Sequence, residues 1–144
     1  MSAWILCIAA SAIDGDGLRC ALRGGKVEEV RLLAIDAPDY SGSRPCREGR
    51  AHFVCDDRRA EASKASLRSA LKLGPVRVMG VGRDRYGRLL ARATAGGRDL
   101  SCWQLARGQA RYVARWDDPE QGVAATRPGA RVGRVAATCP AHAR

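Results

Sequence analysis

The repeat of apolar residues in this chain switches from the period of a strand to that of a helix and back, and the order of the switches restricts the fold. Residues 4–13 read as a strand. Leu18-Arg19-Cys20-Ala21-Leu22 alternates before the turn Arg23-Gly24-Gly25-Lys26, whose glycines supply the positive φ of a tight hairpin. Val27–Ile35 forms a third strand, with Val30, Leu32 and Ala34 on one face and Arg31 on the other, so the first three strands make a meander. Residues 36–58 hold Pro38, Gly42, Pro45, Gly49 and two cysteines and read as a long irregular loop of the kind that carries function. From Arg59 to Leu73 the period is helical and Gly74-Pro75 ends it. Val76–Val78 and Leu89–Ala95 add two strands, and Asp99 caps a helix that runs to Ala106 before Gly108.

Three strands, a helix, two strands and a helix predict a mostly β protein with α: a five-stranded barrel with two or three helices packed outside it, the order of an OB-fold. At 144 residues the chain suffices for one hydrophobic core. We expect a domain over residues 1–116 and an extension over 117–144, rich in Ala, Gly, Arg and Pro, that carries a short helix at most and packs on or trails from that domain. The longest apolar run, Ala3–Ile13, is too short to span a bilayer. It resembles the centre of a signal peptide but lacks a basic leader, and Asp14 and Asp16 follow at once, so a buried strand is the better reading. A net charge of +10 points to polyanionic partners. Six cysteines without a C-x-x-C spacing suit an oxidising compartment, secreted or periplasmic. Fifteen pairings are open, and Cys46–Cys55, both in the polar loop, is the one expected.

Three segments carry candidate chemistry. Ile13-Asp14-Gly15-Asp16-Gly17 places two acids among glycines where the first two strands join. Val30-Arg31-Leu32-Leu33-Ala34-Ile35-Asp36-Ala37-Pro38-Asp39 is an apolar strand with one arginine that ends in two acids straddling a proline. Asp84-Arg85-Tyr86-Gly87-Arg88 is a basic turn with one aromatic. Solvated turns, with Arg31 paired to Glu28 or Glu29, account for each segment alone. Their combination matters because the end of strand one, the end of strand three and the turn before strand five of such a barrel can meet on one rim.

With these motifs the chain resembles the staphylococcal nuclease-like, or thermonuclease, family. Asp-Gly-Asp, Arg-Leu-Leu-x-Ile-Asp-x-Pro-acid, Glu61-Ala62-Ser63, Asp-x-Tyr-Gly-Arg-x-Leu-Ala, and Asp99-Leu100 with Leu105-x-Arg107-Gly108-x-Ala110 occur in the family's order, over about Ala3 to Trp116. The resemblance implies an OB-fold phosphodiesterase that uses Ca²⁺ to cleave DNA and RNA and leaves 3′-phosphate ends. It implies that Asp16 and Asp36 are calcium carboxylates, that the Ala37 carbonyl is a third oxygen ligand, and that Asp14 lies just behind them. It makes Arg31 and Arg88 the arginines that clamp the phosphate, and Arg85 and Tyr86 contacts to the terminal phosphate and sugar. Asp39 stands where the family has a glutamate that orients or activates the attacking water, and is shorter by one methylene, about 1.5 Å of reach. Ala37 and Gly17 each stand where members carry threonine.

The residue chemistry agrees with that assignment. Carboxylate and carbonyl oxygens suit Ca²⁺. A guanidinium fork donates two charge-assisted hydrogen bonds to phosphate and stays charged at every working pH. Trp116 offers a stacking face near the cleft, Trp103 belongs to the core, and His52 and His142 read as surface residues. The expected enzyme is a monomer that prefers single-stranded or unstacked DNA and RNA and has no membrane partner. The alternative is a nucleic-acid-binding module of the same fold with weakened or lost catalysis, motivated by Asp39 and Gly17.

Overall fold

The computed structural model describes residues 3–118, Glu120 and Cys139. The strands are β1 (Ile5–Cys7), β2 (Ala9–Ala12), β3 (Gly17–Ala21), β4 (Val27–Leu32), β5 (Ile35–Asp36), β6 (Val76–Arg83), β7 (Leu89–Ala95), β8 (Arg98–Asp99) and β9 (Arg111–Tyr112), and the helices are α1 (Arg44–Arg47), α2 (Asp57–Ala70) and α3 (Leu100–Ala106). The protein is mostly β with three helices and an OB-like sheet. His142 and any helix in the extension lie outside the described residues.

The main sheet runs β1-β6-β7-β4-β3-β2, with β8 added to β7. All neighbours are antiparallel except β4 and β7, where Val30 faces Leu89 and Leu32 faces Ala91. The strand expected over residues 4–13 is divided at Ile8. Its first piece pairs with β6, Ile5 opposite Val78, and its second with β3, Ala9 opposite Ala21. The two edges of the sheet are therefore consecutive pieces of one segment, which joins them in the OB-like manner. The expected meander is β2-β3-β4.

Leu18, Val30, Leu32 and Ile35 meet Val78, Ala91, Ala93, Leu67, Leu100 and Trp103 in one core. Trp103 is core as expected. Helix α2 buries Ala60, Ser63, Leu67 and Ala70 on one stripe, with Asp56 as N-cap accepting from the Arg59 N–H at 3.1 Å. It starts two residues before the expected Arg59, because the cap is Asp56 rather than the first apolar position. Asp99 caps α3 as expected, its Oδ1 accepting from the Cys102 N–H at 2.9 Å. The loop expected to be irregular contains α1, capped by Ser43 with Pro45 in its first turn.

Disulfides join Cys7 to Cys20, Cys46 to Cys55, and Cys102 to Cys139. The expected Cys46–Cys55 pair is among them, and three disulfides are consistent with an oxidising compartment. Among the described residues no helix is long and apolar enough to cross a membrane.

Candidate active site

The site begins where β3 and β4 run side by side. Gly17 lies opposite Arg31, and the Leu32 N–H donates to the Asp16 carbonyl at 2.8 Å, so Asp16 and Arg31 are neighbours across the ladder. A Cβ on Gly17 would lie 3.0 Å from Asp14 Oδ1, so a larger residue there needs a small shift of the Asp14 side chain. Asp14 accepts from the Asp16 N–H at 3.1 Å.

After Leu32 the chain turns sharply through Ala34, whose φ of 69° is rare for a residue with a Cβ. The turn is fastened by the Leu33 N–H to the Ala91 carbonyl at 3.0 Å and by the Val113 N–H to the Ala34 carbonyl at 2.8 Å. It delivers β5 back over Asp16, where the Ala37 N–H donates to Asp16 Oδ2 at 2.8 Å. Strand β5 pairs with β9, which sets Arg111 opposite Asp36.

Arg31 binds both proposed carboxylate ligands. Its Nη1 forms an ion pair with Asp16 Oδ1, its Nη2 is 3.8 Å from Asp36 Oδ1, and Nη2 also donates to the Ile35 carbonyl at 3.3 Å. The simpler pairing with Glu28 or Glu29 is not what forms: Glu28 pairs with Arg83 at 2.6 Å. Arg111 Nη2 lies 3.6 Å from Asp36 Oδ2. That oxygen is buried and has no hydrogen-bond partner among the described residues, a state it shares only with Gln104 Oε1.

Charge is distributed unevenly over these acids. Burial opposes the charge of Asp16, but Arg31, the Asp14 side chain and the Ala37 N–H outweigh it and hold its pKa below the ordinary carboxylate value. Burial, then the Asp16 charge, push Asp14 up to about 7. The same two causes raise Asp36, against Arg31, Arg111 and His52. Asp39, half-buried, is raised by burial and by the charges of Asp16 and Asp36. Asp16, Asp36, Ala37, Asp39 and Arg31 thus form one cluster.

The turn before β7 stands apart from that cluster in its contacts. Arg88 Nε donates to Asp84 Oδ2 at 2.6 Å, and its guanidinium lies 5.5 Å from the Tyr86 ring centroid. Arg88 immediately precedes β7, whose Leu90 lies opposite Arg31 in the β4–β7 register. Arg85 lies 5.1 Å from the same exposed ring. The Tyr86 hydroxyl is held below the ordinary phenol pKa by Arg50 and Arg85.

The model of the staphylococcal nuclease homologue family matches residues 29–131, which includes every candidate residue except Asp16 and the acids beside it. The chain belongs to the staphylococcal nuclease homologue family. No curated protein matches it significantly. Membership supports a nuclease-type enzyme that acts on nucleic acid, and the geometry adds Asp16 to the matched segment through Arg31 and Ala37.

Five residues of this family member were given no site role by the sequence, although Ser63 was part of a motif and His52 is exposed as expected. Arg111 reaches the site through a two-residue strand with no periodic signal. His52 packs edge-on against Trp116 at 5.3 Å, and Arg31 lies 5.5 Å from the same ring. Arg59 and Arg111 each lie 5.2 Å from the Phe53 ring centroid. Gln104 is fully buried and donates through Nε2 to the Gly15 carbonyl at 2.7 Å and the Ser63 carbonyl at 2.9 Å. Ser63 Oγ donates to the Gln109 carbonyl at 2.7 Å. Gln104 and Ser63 tie the Asp14–Asp16 turn to both long helices.

Proposed function

We propose that this protein is a calcium-dependent phosphodiesterase that hydrolyses DNA and RNA with little sequence preference and leaves 3′-phosphate ends. The observation that carries this reading is Asp36 Oδ2, a buried carboxylate oxygen that among the described residues has no hydrogen-bond donor and only the Arg111 guanidinium at 3.6 Å, beside a second buried carboxylate. Leaving such an oxygen unsatisfied costs roughly 1–3 kcal/mol or more, and a hard cation satisfies it. Among the described residues no group of three or more His, Cys, Asp or Glu is placed to hold a metal ion. Two buried carboxylates, completed by a backbone carbonyl and water, are hard oxygen donors of the kind that suits Ca²⁺.

In this reading Asp16 and Asp36 hold the ion, with the Ala37 carbonyl as a third ligand. When bound, the ion supplies Lewis-acid polarisation of the phosphate. Asp39 takes a proton from the attacking water, and burial and the neighbouring acid charges, which raise its proton affinity above that of an ordinary carboxylate, favour that step. The water oxygen forms the new bond to phosphorus, and the bond from phosphorus to the 5′-oxygen breaks. Arg31 donates to non-bridging oxygens as negative charge gathers on them. Arg88 joins it from the neighbouring strand, with Nε on Asp84 and its terminal amino groups turned to phosphate. Arg85 and Tyr86 hold the terminal phosphate and sugar.

Three disulfides support export to a periplasmic or extracellular space, and the Cys102–Cys139 bridge supports an extension packed on the residue 1–116 domain. A timed digest of plasmid DNA and of RNA tests the central reading. Cleavage with millimolar Ca²⁺ that vanishes in EDTA and in Asp36→Ala is expected, and cleavage retained in EDTA overturns it. The second reading, a nucleic-acid-binding module with lost catalysis, is favoured by the shorter Asp39. Salt-sensitive oligonucleotide binding without turnover would establish it.

A further inference from the structure

The loop between Asp39 and helix α2 places aromatic rings and guanidinium groups in alternation next to the acids. Arg111 joins the series to the acid cluster through Asp36 Oδ2 and donates to the His52 carbonyl. Its guanidinium lies against Phe53, and Arg59 lies against the same ring. His52 meets Trp116 edge-on, and Trp116 has Arg31 and Arg115 beside it, the latter at 5.1 Å. None of the ion pairs among the described residues involves Arg59 or Arg115. His52, Arg59, Arg111 and Arg115 are exposed, and Phe53 and Trp116 are half-buried.

Arg59 also breaks a local rule. It stands in the first turn of α2, where the helix dipole and the free N–H groups disfavour a cation, and Arg58 precedes it. A first-turn cation that forms no ion pair among the described residues, although Asp56 and Asp57 are on the same turn, and that lies 5.2 Å from a ring centroid, points to an external anion. Rings that offer π-faces between cations match the alternation of bases and phosphates in an unpaired strand.

From this we infer that His52, Phe53, Arg59 and Arg111, with Trp116, form a second nucleotide-binding subsite that holds a single-stranded stretch of nucleic acid beside the acid cluster. Bases stack on Phe53, His52 and Trp116, and phosphates lie on Arg59, Arg111 and Arg115. The inference rests on the nuclease reading for the identity of the strand, but its test does not need turnover.

The experiment is fluorescence anisotropy in EDTA with the full oxidised chain and labelled single-stranded oligonucleotides, a trinucleotide and a dodecamer. Phe53→Leu and Arg59→Gln should each weaken dodecamer binding by about five- to tenfold, the loss expected for one stacked base or phosphate contact. The trinucleotide should stay within about twofold if it occupies only the acid-cluster end. Arg59→Gln should also lower the slope of log K against log salt by about 0.7. Dodecamer binding within twofold of wild type for both variants overturns the subsite. So does a duplex dodecamer that binds as tightly as the single strand, or oligoglutamate of equal charge that displaces the strand as well as a second strand does. Arg59 is exposed and its variant decides the matter if Phe53→Leu lowers the melting temperature. Strand binding with this pattern but no cleavage in Ca²⁺ would leave the subsite standing and remove the nuclease reading. Cleavage with binding indifferent to Phe53 and Arg59 would do the reverse.

Discussion

Asp39 is paired with Cys55 in a short parallel bridge: its N–H donates to the Val54 carbonyl at 2.8 Å, and its carbonyl accepts from the Asp56 N–H at 3.0 Å. Cys55 is in turn linked to Cys46. The proposed base is thus fastened through its backbone to a loop closed by a disulfide. Replacing both cysteines with serine should cost about 2–3 kcal/mol, the entropy of so short a loop. Turnover should fall more than KM rises, because Asp39 loses its anchor while the guanidinium groups stay in place. Denaturant melts and steady-state cleavage check this, and an unchanged kcat would show that Asp39 is held without the bridge.

Asp39→Glu restores the reach of the family residue and should raise turnover, by up to about 10²-fold if the missing methylene is a misplacement of about 1 Å. Asp39→Asn should remove most of the activity while leaving oligonucleotide binding intact. Burst and steady-state rates on one defined oligonucleotide separate the two. No gain from the glutamate would mean that the loop has already moved its carboxylate inward.

Stability should depend on pH through the same acids. Asp14 holds its proton more tightly folded than unfolded, so between the ordinary aspartate value of 3.8 and about 7 it binds more proton in the folded chain, and Asp36 and Asp39 act in the same direction. In EDTA the melting temperature should therefore fall as pH rises through that window. Asp16 acts with the opposite sign: its lowered pKa stabilises the fold above 3.8, and that contribution is lost in stronger acid. Asp14→Asn should flatten the decline. Added Ca²⁺ should raise the melting temperature more at pH 7 than near about pH 5, because protons and cation compete for the carboxylates. An equal rise at both would argue against the site.

Gly15→Ala probes the packing under the acid turn. A Cβ there would lie 1.9 Å from Ser63 Oγ and 2.8 Å from the Ala37 Cβ. Overpacking of this kind costs about 1–3 kcal/mol, and the displaced turn should carry Asp14 and Asp16 with it. Calorimetric Ca²⁺ affinity should drop along with stability, whereas Leu67→Ala, remote from the turn, should lower stability with affinity unchanged.

Four of the five expected strands and both long helices were legible because their apolar residues repeat with a clear period and their ends carry Asp, Gly or Pro, whereas the strand expected over Val27–Ile35 ends at Leu32, turns at Ala34 and resumes as β5 against β9. The division at Ile8 was not, since one apolar run hides the change of partner from β6 to β3. The acid and arginine positions were legible as spaced motifs, and Asp16, Arg31, Asp36, Ala37 and Asp39 do come together. Arg88 is instead tied to Asp84, an i,i+4 contact that convergence on a rim did not anticipate. Arg111 and His52 were missed for a different reason. Their place depends on the β5–β9 pairing and on the disulfide-closed loop, both set by contacts between segments far apart in sequence.

The segment Ile5–Ala12, shared between both edges of the sheet, bears on the order of assembly. Its β6 partner around Val78 is made about seventy residues after it, so the pairing that joins the two edges forms late in synthesis. Oxidation of Cys7 with nearby Cys20 fixes β1 against β3 before that partner exists. In a reducing cytosol this early clasp is missing, and recombinant yield should depend on the compartment of expression more than on temperature or rate.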